Sequence, residues 1–441
     1  MRRLLCLDVL RGFFILMVIL LHAFGHVLFW NAQIISREEV SIWVLVLFAP
    51  LLLLSTWAPV FALISGFANA YVLHGLMARH DARFRGTSPL NGHVRGIMLN
   101  SLCLFGVSLI HVGLLHFRLN FNGQEHFTLL TGSLERGILG GGSLNLLFFN
   151  DAIELIAMSG LVIGCVLWLL WRNGGFEQRR RNYIALTGLA LAWLALTPLL
   201  HKYLDGYYFQ AIDEARYSVA IPLKFIVGPA HSTFPNVAFA LIGAVLGMAV
   251  SERAPIRNIR RFGYGFGAAS LVAALGLLVG SGFSLGPELV GRTLPMPVFL
   301  ANLGLMLMLI TLLIDRIEYR PDAVRAKIAA RTTFLRRFSL LAMTVYTCES
   351  LLCVINVKWY LPLWPEAGLA VRYLQVFAYA GMQVALWYGI ARVWEQWEFK
   401  YSFEWIVVRI AGFLRGRVSS RLKVQEVLYH PVELQEVKEA A

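Results

Sequence analysis

The chain has 441 residues, of which 58% are apolar and only 15% charged, with a formal net charge of +13. Together with a mean hydropathy of +0.64, this composition excludes an ordinary soluble globular domain and indicates a polytopic membrane protein. The basic residues sit in short clusters between apolar runs, which is a topology signal, and no nucleic-acid partner is expected.

Windows of about 20 apolar residues place spans near 9–30, 55–78, 97–117, 147–171, 184–200, 231–251, 263–283, 295–315, 338–357 and 369–393. Residues 42–54 are also apolar and form an eleventh segment, either spanning or re-entrant. The expected fold class is therefore all-α, a polytopic membrane helix bundle of about 10–11 transmembrane helices. Residues 1–395 make up its membrane domain, and 396–441 an interfacial helix followed by a weakly ordered tail.

Arg2 and Arg3 precede the first run as they would in a secretory signal. The run is too long for that, Asp8 and Arg11 interrupt its start, and no small-residue cleavage site follows promptly. The first span carries Asp8, Arg11, His22 and His26. Eleven positions separate Arg11 from His22, which brings them within about 20° of one face and about 16 Å apart along the axis. Asp8 and His26 join the same stripe at helical spacing. Charges and imidazoles are costly in hydrocarbon, so the stripe is expected to face a protein or water-filled interior. Two plainer readings stand beside this one: Asp8 and Arg11 as an interfacial ion pair, and His22 as a hydrogen-bonded structural residue.

With the N-terminus inside, loops 79–96, 172–183, 252–262 and 316–337 and the tail from 394 are cytoplasmic. About thirty of the 39 Lys and Arg then lie inside, as the positive-inside rule requires. The outer loops 118–146, which is Gly-rich, and 201–230 are long enough to cover a pocket. Asp151 and Glu154 open the fourth span at i, i+3, His231 opens the sixth, and Glu349 lies within the ninth. With His26 they mark a polar pocket toward the outer side, although interfacial solvation accounts equally well for Asp151 and His231. Glu349 is the most informative, because a carboxylate inside a span must pair or protonate. His111 and His116 are read as ordinary interfacial residues. The five cysteines have neither disulfide-framework nor zinc-ligand spacing. No metal site and no tightly bound cofactor is expected.

Arg11 followed by ten residues and His22 matches the R-x10-H motif of the family 3 membrane acyltransferases, and Asp8-Val9-Leu10-Arg11-Gly12 resembles their usual entry. Ala58 to Phe67 is similar to the Phe-rich, Ser-Gly-Phe stretch that comes next in those proteins. Asn150-Asp151, His231 to Gly247 and Phe338 to Leu352 resemble spans of the wider transmembrane acyltransferase superfamily. That superfamily includes heparan glucosaminide N-acetyltransferases and the succinyltransferase of periplasmic glucans. Ser402-Phe403-Glu404-Trp405 resembles the Gly-Pro-Leu-Glu-Trp ending of one bacterial branch, without its Gly-Pro.

The resemblance implies a multi-pass enzyme of the bacterial inner membrane. It would move an acetyl or other short acyl group from cytoplasmic acyl-CoA, a co-substrate, to a hydroxyl or amine of a glycan or lipid-linked acceptor outside. His22 is then the base or a transient acyl carrier, and Arg11 a bidentate contact for an anionic part of the donor. Ser65 and Gly66 would let the thioester or pantetheine arm approach the backbone, and Arg95, in a basic loop with Arg79, Arg83, Arg85 and His93, would reach the CoA phosphates. Small residues equally serve helix packing in membranes, and topology alone explains a basic loop. Homodimerisation is left open. The rival reading is a proton-coupled transporter or flippase of a polar substrate, with the intramembrane His, Asp and Glu as a relay.

Overall fold

The computed structural model describes residues 2–27, 58–81, 88–121, 124–140, 142–282, 295–363, 369–416 and 422–430. The candidate segment 42–54, together with Arg83 and Arg85, lies outside the described residues. Among the described residues, eight helices are long and apolar enough to cross a membrane, or nine if one bent pair counts as a single span. Helices are expected there because a bilayer core offers no water to backbone amides, so each segment must satisfy its own.

The spans are α1 (Leu5–Gly25), α2 (Pro59–Asp81), α3 (Ser88–Ile110, continued by a π-helical turn over His111–Leu115), α5 (Ala152–Trp171), α6 (Arg179–Asp213), α8 (Thr233–Ser251), α9 (Ile256–Gly280) and α10 (Met296–Leu313). The bent pair is α12 (Thr333–Leu340) and α13 (Ala342–Tyr360), at 80° to each other. The tenth expected span exists as α14 (Leu369–Glu395), but it carries Arg372, Gln375, Gln383 and Arg392 and is not among the apolar set. Short helices α4 (Thr131–Arg136), α7 (Tyr217–Val227), α11 (Asp322–Arg331), α15 (Phe403–Phe413) and α16 (Val424–Tyr429) and a hairpin of Leu119–Phe121 and Gln124–His126 complete the described chain.

α8 is the buried centre, and it meets α2 backbone to backbone. A Cβ on Gly66 would stand 2.0 Å from the Ala240 carbonyl oxygen, one on Gly243 2.1 Å from that of Leu63, and one on Gly247 2.3 Å from that of Phe67. Glycine is needed at all three positions for this approach. α1 lies against α12, α13 and α14, so its polar stripe faces protein, as its residue types require.

Three expected loops and ends are structured. α6 runs on past the apolar window at 200 to Asp213, and α7 comes after it, so 201–230 is helical rather than an open loop. In 118–146, the Thr128 and Thr131 hydroxyls donate to the carbonyls of His116 (2.6 Å) and Leu115 (2.8 Å), fastening this segment over the π turn. The tail is not loose at 424–429. Val424, Val427 and Leu428 are buried, and the Arg336 guanidinium donates to the carbonyls of Val427 (2.6 Å) and Leu428 (2.7 Å).

Candidate active site

Two ends of the bundle converge on Tyr346, in the second turn of α13. On one side lies a cavity of about 310 Å³, walled by Ile15, Phe61, Ile64, Leu104, Ile153 and Ile156. Its polar lining is Arg11, Ser65, Asn69, Ser339, Tyr346 and Glu404. Arg11 makes no hydrogen bond or ion pair with any described residue. Asp8, which the sequence offered as its partner, is held by Arg3 through two hydrogen bonds of 2.5 and 2.9 Å. A guanidinium that makes no hydrogen bond or ion pair and lines a largely apolar void has the chemistry to accept an anion.

Glu404 reaches the cavity because the chain breaks at Leu341. The first amides of α13 have no partner within the helix. Glu404 accepts from the amides of Met343 (2.5 Å) and Thr344 (3.1 Å) and from the Thr344 hydroxyl (2.5 Å). A carboxylate at a helix N-terminus also meets the positive end of its dipole. Glu404, from beyond residue 395, is therefore part of the cavity lining.

On the other side of Tyr346 lies a group of imidazoles. His22 donates from Nδ1 to Oε1 of Glu349, which is fully buried. Ser350 Oγ also donates to that oxygen, at 2.7 Å. Glu349 on Nδ1 sets the orientation of the His22 ring. The His22 ring lies 5.7 Å from Phe117 and 6.3 Å from Tyr346, and His26, fully buried, lies 5.8 Å from Phe117. His22 does not line the cavity itself; Tyr346 stands between them.

No family model, curated protein or solved structure matches the chain. The site therefore rests on its own geometry.

Asp151 caps α5 through the Ile153 amide (3.2 Å) and accepts from Tyr346 Oη (2.7 Å) and Ser108 Oγ (3.2 Å). Its Oδ2 stands 3.3 Å from Nδ1 of His111. His111 and His116, expected at an interface, are instead 1% and 5% exposed, with rings 4.8 Å apart. The sequence missed them because their place at the outer end of the third apolar window suggested solvation, whereas the π turn over His111–Leu115 leaves these rings buried, and such turns favour functional positions. His231 comes close because Asn150 and Ala230 form a single β-bridge. Burial draws its imidazole below the ordinary range, with the Asp151 charge opposing.

The remaining candidates divide. Ser65 lines the cavity. Gly66 does not; it is taken up by packing against Ala240, so it offers no approach to a ligand. Arg95 is exposed on α3 and not part of the cavity lining. Glu154 turns away from Asp151 and pairs with Lys224 of α7 at 2.8 Å, both buried. Sequence reading leaves Lys224 in a loop, and so gives Glu154 no partner.

Proposed function

We propose that this protein is a membrane-embedded acyltransferase that takes a short acyl group from cytoplasmic acyl-CoA and passes it to a hydroxyl of an acceptor on the opposite side, a glycan or lipid-linked molecule. One observation carries the proposal: the carboxylate-bound imidazole of His22 lies against Tyr346, and Tyr346 lines the cavity in which the Arg11 guanidinium makes no hydrogen bond or ion pair with any described residue. The R-x10-H and Ser-Gly-Phe resemblance supports the same chemistry.

In this reading Arg11 holds an anionic part of the donor, and the apolar walls accept the acyl end of the thioester arm. His22 Nε2 attacks the thioester carbonyl, the C–S bond breaks, and the thiolate takes a proton from the donor-side solvent. Glu349, on Nδ1, fixes the tautomer and offsets the positive charge of the acylated ring. The acyl group then lies beyond Tyr346, within reach of an acceptor from the other end.

The test supplies labelled acetyl-CoA to inverted vesicles containing the protein. Label should appear in membrane material, and His22→Ala should abolish it with the protein still inserted. Substantial transfer by that variant would refute the role. The continuous set of buried ionisable groups from Glu349 to His111 also suits a proton-coupled transporter. Movement of unmodified cargo without loss of acetyl-CoA would favour that reading.

A further inference from the structure

The Asp151–His111 pair is a second carboxylate–imidazole unit, and the attack by His22 gives it no work. We propose that His111 is the base that activates the acceptor hydroxyl in the second half of the transfer, a proposal that rests on the acyltransferase reading.

Three observations carry it. His111 is 1% exposed, and neither ring nitrogen has a hydrogen-bond partner among the described residues; Asp151 stands beside Nδ1, not Nε2. A buried imidazole nitrogen is normally paired, so this one is kept for a group that the chain does not supply. Asp151 does not need the histidine for its own satisfaction, since Ser108, Tyr346 and the Ile153 amide already donate to it. Its 3.3 Å approach to Nδ1 instead places a carboxylate beside the ring. Finally, Tyr346 bridges the two imidazoles: its ring lies 5.0 Å from His111 and 6.3 Å from His22. In the proposed step the acceptor meets the acyl carbon on His22 and the base on His111, which flank the same Tyr346 ring.

His116 is a weaker candidate. Its Nδ1 donates to the Phe117 carbonyl at 2.9 Å and is thereby taken up.

The step balances. The acceptor oxygen attacks the acyl carbonyl on His22 while its proton passes to His111 Nε2. The C–N bond breaks and its electron pair returns to His22 Nε2. His111 then releases the proton to the acceptor-side solvent, matching the one taken up by the thiolate in the first half.

The test uses the purified full chain in detergent with [14C]acetyl-CoA and no added acceptor, water serving in its place. His111→Gln should still release CoA but retain label on the protein, with its loss slowed on the order of 100-fold, the usual worth of a positioned base. The label should be absent when His22→Ala is combined with it, and added imidazole should restore its release. Asp151→Asn, which keeps the side-chain volume, should slow release in the same direction and covers the case in which His111→Gln does not fold. Release of CoA and of label at the wild-type rate in both variants would overturn the role of His111 alone. Wild-type protein that neither binds acetyl-CoA nor frees its thiol would overturn the acyltransferase reading itself.

Discussion

Glu349→Gln tests the core of the site with the least disturbance. The side chain keeps its size, and its oxygen remains for the Ser350 hydroxyl at 2.7 Å. The charge facing His22 Nδ1 is lost. A hydrogen bond to a charged group is worth about 1.5–3 kcal/mol. If that interaction is made only when His22 carries charge, its loss lowers turnover by roughly 10- to 150-fold. The amide can also present its NH2 to Nδ1, which places the ring proton on Nε2 and deepens the loss. Acetyl-CoA binding should not change, because Arg11 lies across Tyr346 on the cavity side. Thiol release at saturating acetyl-CoA measures turnover, equilibrium binding measures affinity, and thermal unfolding of the solubilised protein checks the fold. A variant that turns over within about threefold of wild type, or one whose binding falls in step with turnover, would refute the argument.

Arg11→Lys should raise the KM for acetyl-CoA by about tenfold or more, because a point charge does not replace a planar fork at a site built for an anion; an unchanged KM would remove Arg11 from donor binding. Gly66→Ala should destabilise the solubilised protein by at least ~1–3 kcal/mol, since its methyl group would meet the Ala240 carbonyl at 2.0 Å. Gly188→Ala, where nothing lies within 4 Å, is the control and should leave the melting temperature unchanged. Lys224→Met strands the buried carboxylate of Glu154 and should cost about 3–5 kcal/mol, much of it recovered by adding Glu154→Gln. Equal melting temperatures for the single and double variants would show that the pair is not coupled.

Much of the site can be read from the chain because polar residues in apolar runs have few explanations. The spacing of Arg11 and His22, and Glu349 alone in its span, point to the two halves of the site without any contact being known. Hydropathy is blind to helix that continues beyond an apolar window, because it reports the surrounding medium rather than the backbone. It therefore stops the sixth helix at 200 and leaves Lys224 in a loop, while for His111 and His116, which lie inside a window, it does not tell that a π turn buries them. Gly66 is misjudged for another reason. A small residue serves equally for ligand approach and for helix contact, and only the position of Ala240 decides between them.

The joint at Leu341 has a consequence for biogenesis. The amides that open α13 are closed by Glu404, about sixty residues further along the chain. During synthesis the first span emerges earliest, yet the wall opposite its arginine is not complete until the ribosome has passed 404. The bundle can thus be largely inserted while the cavity beside Arg11 is still unfinished, so that a chain cut short after the last long helix would lack the Glu404 part of its lining.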